Sequence, residues 1–185
     1  MCLIGCQSFY AQKLEEGQRN GLLQATASFY PSWMLNHKVQ NNYIGGHFAY
    51  YFEDHYSFRG EILAYIDAQG DQKYLDKHVQ VQAGFGRHFP IKRWDPFVYG
   101  QMGLSAVQLK NYTNAHLQPT IGLLVGTHYN VSRFFYFFAE CQYNHTNDPE
   151  RKGPMDQIYA SGDWGFSFRQ RNKRVNLPIN PPFGK

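Results

Sequence analysis

Residues 50–58 read YYFEDHYSF: a polar break, Glu53-Asp54-His55, held between aromatics on both sides. The arrangement returns at Pro90 to Asp95, flanked by Phe89, Trp94, Phe97 and Tyr99. It returns again at Asn130 to Arg133, flanked by Tyr129, Phe134, Phe135 and Tyr136. The breaks that alternate with these three are longer, more polar and free of such a collar. Short turns at one end, longer loops at the other and Tyr, Phe and Trp at the boundary are what a small membrane-spanning β-barrel requires. The expected interface aromatics are Tyr51, Phe52, Tyr56, Phe89, Trp94, Phe97, Tyr129, Phe134, Phe135 and Trp164.

Working outward from these breaks, apolar and polar residues alternate with period two through most of the chain, and helical spacing is not convincing anywhere. The pattern predicts eight strands, at roughly 21–35, 42–52, 56–66, 77–89, 96–108, 118–129, 134–144 and 156–169. Each has about 10 residues or more, enough for a tilted strand to cross a bilayer. The loops between, at about 36–41, 67–76, 109–117 and 145–155, carry Asn, Asp, Gly, Lys and Pro, the residues of turns. The predicted fold is all-β, one eight-stranded antiparallel up-and-down transmembrane barrel over 20–169.

Which face is inside follows from what the polar face contains. In the third strand Tyr56, Phe58, Ile62, Ala64 and Ile66 oppose Ser57, Arg59, Glu61 and Tyr65; in the seventh, Phe135, Phe137, Ala139 and Cys141 oppose Tyr136, Glu140 and Gln142. A soluble lipocalin-like carrier of apolar ligands would turn the apolar face inward and cover its exterior with Lys and Glu. Here the polar face is Gln, Ser, Thr, Gly, His and Tyr with few charges, and Gly45, Gly84, Gly86, Gly103, Gly122 and Gly126 fall on it, as a narrow interior requires. The barrel is therefore read apolar-out. Arg59, Glu61, Glu140 and Asp163 become lumen charges, expected to join in a hydrogen-bonded network that plugs the middle. Arg87 has outward parity near the collar, where its long side chain can snorkel toward headgroups.

Bulk properties agree. Of 185 residues, 17% are aromatic and only 17% charged, below the roughly 25% charge of an ordinary soluble domain. Mean hydropathy is −0.54, and no stretch approaches the roughly 20 apolar residues of a spanning helix. The net charge of +4 comes without a basic stripe interleaved with stacking aromatics, so nucleic-acid binding is not expected. Cys2 and Cys6 stand near the start and leave Cys141 alone in the body, which excludes a disulfide within it. Met1 to Ala11 resembles the end of an export signal cut after Ala11; Leu3-Ile4-Gly5-Cys6 also resembles a lipoprotein box, ranked second. Residues 170–185 are basic and Pro-rich, read as a periplasmic tail without packed structure and open to an envelope partner.

The aromatic strands Phe134 to Tyr143 and Trp164 to Phe168, with the alternation over 20–169, resemble the small eight-stranded outer-membrane barrels of Gram-negative bacteria, the OmpA-transmembrane/OmpX-like class. The resemblance implies an outer-membrane location, contact with membrane lipid and lipopolysaccharide, and a role in envelope stability, adhesion or minor solute passage. It also implies that Phe166 or Phe168 serves as the final-strand aromatic read by the barrel-assembly machinery. A second resemblance is enzymatic. Asn144-His145-Thr146-Asn147 is similar to the His-x-Ser-Asn segment of the lipid A 3-O-deacylases, which implies His145 as base, Thr146 as the nearest hydroxyl and Glu140 as the orienting acid. Asn147 stands where that family has its serine. The remaining histidines show no ligand spacing, so neither a metal nor another cofactor is expected.

Overall fold

The computed structural model describes residues 19–69, 73–150 and 153–169. Eight strands form one closed antiparallel barrel: β1 (Leu22–Met34), β2 (Val39–Tyr51), β3 (Tyr56–Gln69), β4 (Leu75–His88), β5 (Trp94–Leu109), β6 (His116–Asn130), β7 (Phe135–Thr146) and β8 (Gln157–Arg169). Each pairs with its neighbour in sequence, and β8 closes on β1. Closure gives the backbone polar groups partners away from lipid, the condition for a sheet to cross a membrane. The closing seam is two ladders, Leu22–Ala25 with Phe166–Arg169 and Ser32–Met34 with Gln157–Tyr159. Between them pairing is interrupted over a stretch that includes Pro31, which has no N–H, and the Ser28 and Ser161 hydroxyls meet there at 2.9 Å.

Outside, the belt is greasy: Phe29, Ile44, Phe48, Phe58, Ile62, Val81, Phe85, Met102, Ile121, Leu123, Phe137 and Phe166 are all exposed. This is the lipid-facing surface of a membrane-spanning barrel, the reverse of what a soluble carrier shows. Gly60 lies under the Phe48 ring, whose nearest atom is 2.4 Å from where a Cβ would stand. The aromatic thus covers a backbone gap in the belt. At the short-turn end, Phe52, Phe89, Trp94, Phe134 and Trp164 are exposed, and Trp94 packs on Tyr129 with ring centroids 5.0 Å apart. Tyr56 stacks on Phe52 and Phe85, and Phe135 on Trp164. The Arg87 guanidinium lies over the Phe89 and Tyr56 rings. Tyr51 and Phe97 correct the expectation: both are buried inside the barrel. Each belongs to the collar by position along the chain, but alternation sends Tyr50 and Phe52 outward and therefore Tyr51 inward. The same parity turns Phe97 into the bore.

The strands are 12 to 16 residues long, against the roughly 9–11 that span a bilayer. The excess lies at the loop end. There β2 begins at Val39 rather than 42, β3 runs on to Gln69 rather than 66, and β4 begins at Leu75 rather than 77. The β1–β2 connection shrinks to 35–38, and only 147–156 remains long. Two bulges accompany this extension, leaving Ile66 opposite no partner on β2 and Asp76 opposite none on β5. The bulge resets parity, so Ile66 and Asp67 are both exposed while Ala68 turns inward.

Above the membrane the inside–outside rule inverts. Met34, Val39, Ala68, Leu75, Val107, Leu109 and Met155 form an apolar cluster inside the barrel, continuous with Tyr30, Tyr43, Leu63 and Tyr159. Asp67, Gln69 and Lys77 face outward at that level. Where water replaces hydrocarbon outside, apolar side chains gain by turning in. At the loop end the interior thus carries this apolar cluster beside buried polar side chains such as Ser32, Asn41 and Gln157. The signal-like segment 1–11 and the tail 170–185 lie outside the described residues.

Interior glycines mark where large side chains need room. A Cβ on Gly86 would stand 2.3 Å from the Tyr99 ring, whereas one on Gly100, on the outer face, would meet nothing within 4 Å. Gly86→Ala is therefore expected to lower stability by about 1–3 kcal/mol, read as a shift of the urea midpoint in detergent. Gly100→Ala should leave that midpoint unchanged.

Candidate functional site

The middle of the bore is ionic. Arg59 on β3 is flanked in register by Ala49 and Gly84, and Glu140 on β7 by Gly126 and Ser161, so small neighbours make space for each long side chain. The guanidinium donates to both carboxylate oxygens of Glu140 at 2.8 Å, a bidentate pair, and more weakly to Glu61 at 3.4 Å. Gln101 donates to Glu61 at 3.1 Å, and His47 Nδ1 stands 3.9 Å from Glu140. Arg59 is 1% exposed. Arg59, Glu61 and Glu140 are thus brought together. Asp163 stands apart: it lies on the interrupted part of the β1–β8 seam, half-buried, and its carboxylate accepts a hydrogen bond from the Trp164 N–H at 2.9 Å.

Below this pair, toward the short turns, a second polar cluster fills the floor. Asp95 at the start of β5 lies 2.9 Å from His88 Nδ1, 3.5 Å from His128 Nδ1 and 2.7 Å from Arg19. Ser57 and Tyr99 hold the other nitrogen of His88, at 2.9 and 2.8 Å. Tyr51, an expected interface residue, bonds Gln24 at 3.0 Å here instead. The three residues His88, Asp95 and His128 bring potential metal-ligand atoms within 4.8 Å of one another. No spacing signal announces this group because its members come from three different strands. The only sequence trace is their shared inward parity. Above the ion pair, Tyr43 bonds His78 at 2.8 Å and Gln157 at 3.1 Å, and Gln142 bonds Gln82 at 3.0 Å.

The residues of the deacylase resemblance do not converge. Glu140 is in the bore, committed to Arg59. Thr146 also points inward, its hydroxyl donating to the Pro119 carbonyl at 2.9 Å. His145 faces the other way, since successive strand residues alternate. Its Nδ1 lies 2.7 Å from Asp156, an acid supplied by the loop before β8. Asn147 is exposed on the same side as His145. The histidine therefore has an acidic partner, but not the expected one, and a side-chain amide occupies the place of the required hydroxyl. Asn36 donates to Asp156 at 3.3 Å and to the Pro154 carbonyl at 2.9 Å, which ties this loop to the β1–β2 turn. Burial raises the Asp156 carboxyl, but hydrogen bonds from His145, Tyr143 and Asn36 outweigh it and hold it below its ordinary value.

Removing one partner of the buried pair strands the other charge. Arg59→Met is expected to cost roughly 3–5 kcal/mol, and Arg59→Met with Glu140→Leu far less, read from denaturant midpoints in detergent. A carboxyl depressed in the folded state stabilises above its unfolded pKa, and that stability is lost as pH falls through its folded value. Amide exchange in the Asn36 and Asp156 rim should therefore accelerate on acidification below the ordinary carboxylate range, and Asp156→Asn should abolish that step.

No protein-family model and no curated protein matches the chain. Solved structures do. Neisserial surface protein A shares 14% identity over 80% of this chain and 96% of its own, with a TM-score of 0.63. The outer membrane protein OprG of Pseudomonas aeruginosa shares 14% over 82% and 98%, with a TM-score of 0.59. Ail, the attachment invasion locus protein of Yersinia pestis, shares 12% over 80% and 99%, with a TM-score of 0.51. At such identities the common ground is the architecture, and the chain has the fold of the small eight-stranded outer-membrane β-barrels.

Proposed function

We propose that this protein is a non-enzymatic barrel of the Gram-negative outer membrane, acting in envelope stability or in attachment through its loop end. The observation that carries this reading is the filled bore: the Arg59–Glu140 pair across its middle and the apolar cluster of Met34, Leu75, Val107, Leu109 and Met155 across its mouth. An eight-stranded barrel encloses little more than its own side chains, and here they are bonded to each other. Solute passage is the weakest of the roles open to it. What remains available to a partner is the surface: the lipid belt, and a rim of extended strands that stands clear of the bilayer. The name of the Yersinia pestis neighbour, an attachment invasion locus protein, is in keeping with a role for such a rim. In this reading, membrane lipid and lipopolysaccharide surround the belt, the assembly machinery reads Phe166 or Phe168 on β8, and the tail beyond 169 meets an envelope component.

One observation favours a second reading. The His145–Asp156 pair faces outward at the loop-end rim and supplies the base and orienting acid that a deacylase of the resembled type requires. Asn147 in place of a hydroxyl weighs against it.

Purified protein in planar bilayers should give no stepwise conductance, and deletion of its gene should increase sensitivity to detergent or reduce adherence of the cells. Stable conductance steps from the wild type would overturn the closed-barrel reading. Mass spectra of lipid A should be the same with and without the protein; an acyl chain lost with wild type and retained with His145→Ala would establish the enzyme instead.

A further inference from the structure

We infer that His88, Asp95 and His128 form a binding site for a divalent transition-metal ion at the short-turn end of the bore. The site is built from three adjacent strands, β4, β5 and β6, whose side chains converge just inside the barrel floor. All three side chains are essentially out of solvent, at 0%, 1% and 2% exposure. Two imidazoles and one carboxylate are a donor set that suits zinc or iron(II) and not the oxygen-only preference of calcium or magnesium.

Hydrogen bonding within the protein accounts for only part of this cluster. Neither ring nitrogen of His128 makes a hydrogen bond, although both are buried, and Oδ1 of Asp95 makes none either. Buried polar atoms are satisfied in the great majority of cases, so atoms left over on two neighbouring metal-ligating groups point to a missing shared partner. His88 is also set up as a ligand. Ser57 and Tyr99 hold its Nε2 and leave Nδ1 aimed at Asp95. Outer hydrogen bonds of this kind orient the ring of a metal-bound histidine.

The two Asp95 separations lie close to those an ion imposes, and the whole donor set falls within 4.8 Å. Tetrahedral zinc with bonds near 2.1 Å separates its ligand atoms by about 3.4 Å. In the structure Asp95 Oδ2 is 2.9 Å from His88 Nδ1 and 3.5 Å from His128 Nδ1. Arg19 explains how the site persists without metal. Its guanidinium lies 2.7 Å from the same carboxylate oxygen but without hydrogen-bond geometry, so it acts as a substitute cation rather than a fitted partner. It reaches in from the segment just before β1, over the Tyr51 ring. The bound metal would clamp the ends of three strands at the side of the barrel opposite the seam.

The test is zinc binding by the full chain folded in detergent micelles, with folding checked by heat-modifiable migration. Wild type should retain one zinc per chain after dialysis, and its cobalt form should absorb without a thiolate band, which excludes Cys2, Cys6 and Cys141. His128→Leu, which keeps the ring's bulk and has no hydrogen bond to lose, should abolish this binding, and Asp95→Asn should do the same. Tyr99→Phe should weaken it by roughly tenfold by removing one of the two hydroxyls that hold His88 Nε2. Arg19→Ala should tighten it, and His145→Ala at the opposite rim should leave it unchanged. No retained zinc in wild type, or equal retention in folded His128→Leu, would overturn the assignment and leave a purely hydrogen-bonded floor.

Discussion

Everything in this molecule depends on the sheet closing upon itself. A strand edge exposed to hydrocarbon would leave its amides and carbonyls without partners, at a cost of several kcal/mol for each group. Once β8 meets β1, that liability is confined to one interrupted stretch of the seam, where two serine hydroxyls meet instead. Closure also reduces the fate of each side chain to two coordinates, its parity along the strand and its height along the barrel axis. Parity decides bore or exterior. Height decides whether the exterior is lipid or water.

Those two coordinates account for the interior layering. In the span of the membrane, outward residues are apolar and inward ones polar, so the bore carries an ion pair, glutamines, tyrosines and histidines. Past the membrane the outside becomes aqueous and the preference reverses, which places Met34, Val39, Leu75 and Leu109 inside and Lys77 and Gln69 outside. Long side chains are accommodated pairwise against small ones: Arg59 beside Gly84, Tyr99 beside Gly86, Glu140 beside Gly126. A narrow barrel filled in this way gains rigidity from complementary sizes as well as from hydrogen bonds.

In the proposed reading, function lies at the two ends. At the loop end, elongated strands and the Asn36–Asp156–His145 bonds hold a firm rim. At the short-turn end, Arg19, Asp95, His88 and His128 concentrate charge and unsatisfied nitrogen in a small buried volume. The central ion pair separates the two. Its bidentate geometry makes it strong once formed, while its desolvation cost offsets much of that gain.

Aromatic collars around 53–55 and 130–133, alternation from residue 20 to 169 and the glycine-rich polar face determined the strand number, the antiparallel order and the apolar-out sense, because period-two patterning under lipid is a local property of the chain. Arg59, Glu61 and Glu140 were legible as lumen charges for the same reason. Tertiary structure alone decided the rest. Tyr51 and Phe97 were the exception, turned inward by strand parity although both stand at collar height. Asp163 left the network because it lies on the open stretch of the seam. Asp156 replaced Glu140 as the partner of His145 through a loop whose path no spacing records. The convergence of His88, Asp95 and His128 arises only when barrel curvature brings three strands to one point, since contacts across a bore depend on register and closure, which no single strand encodes.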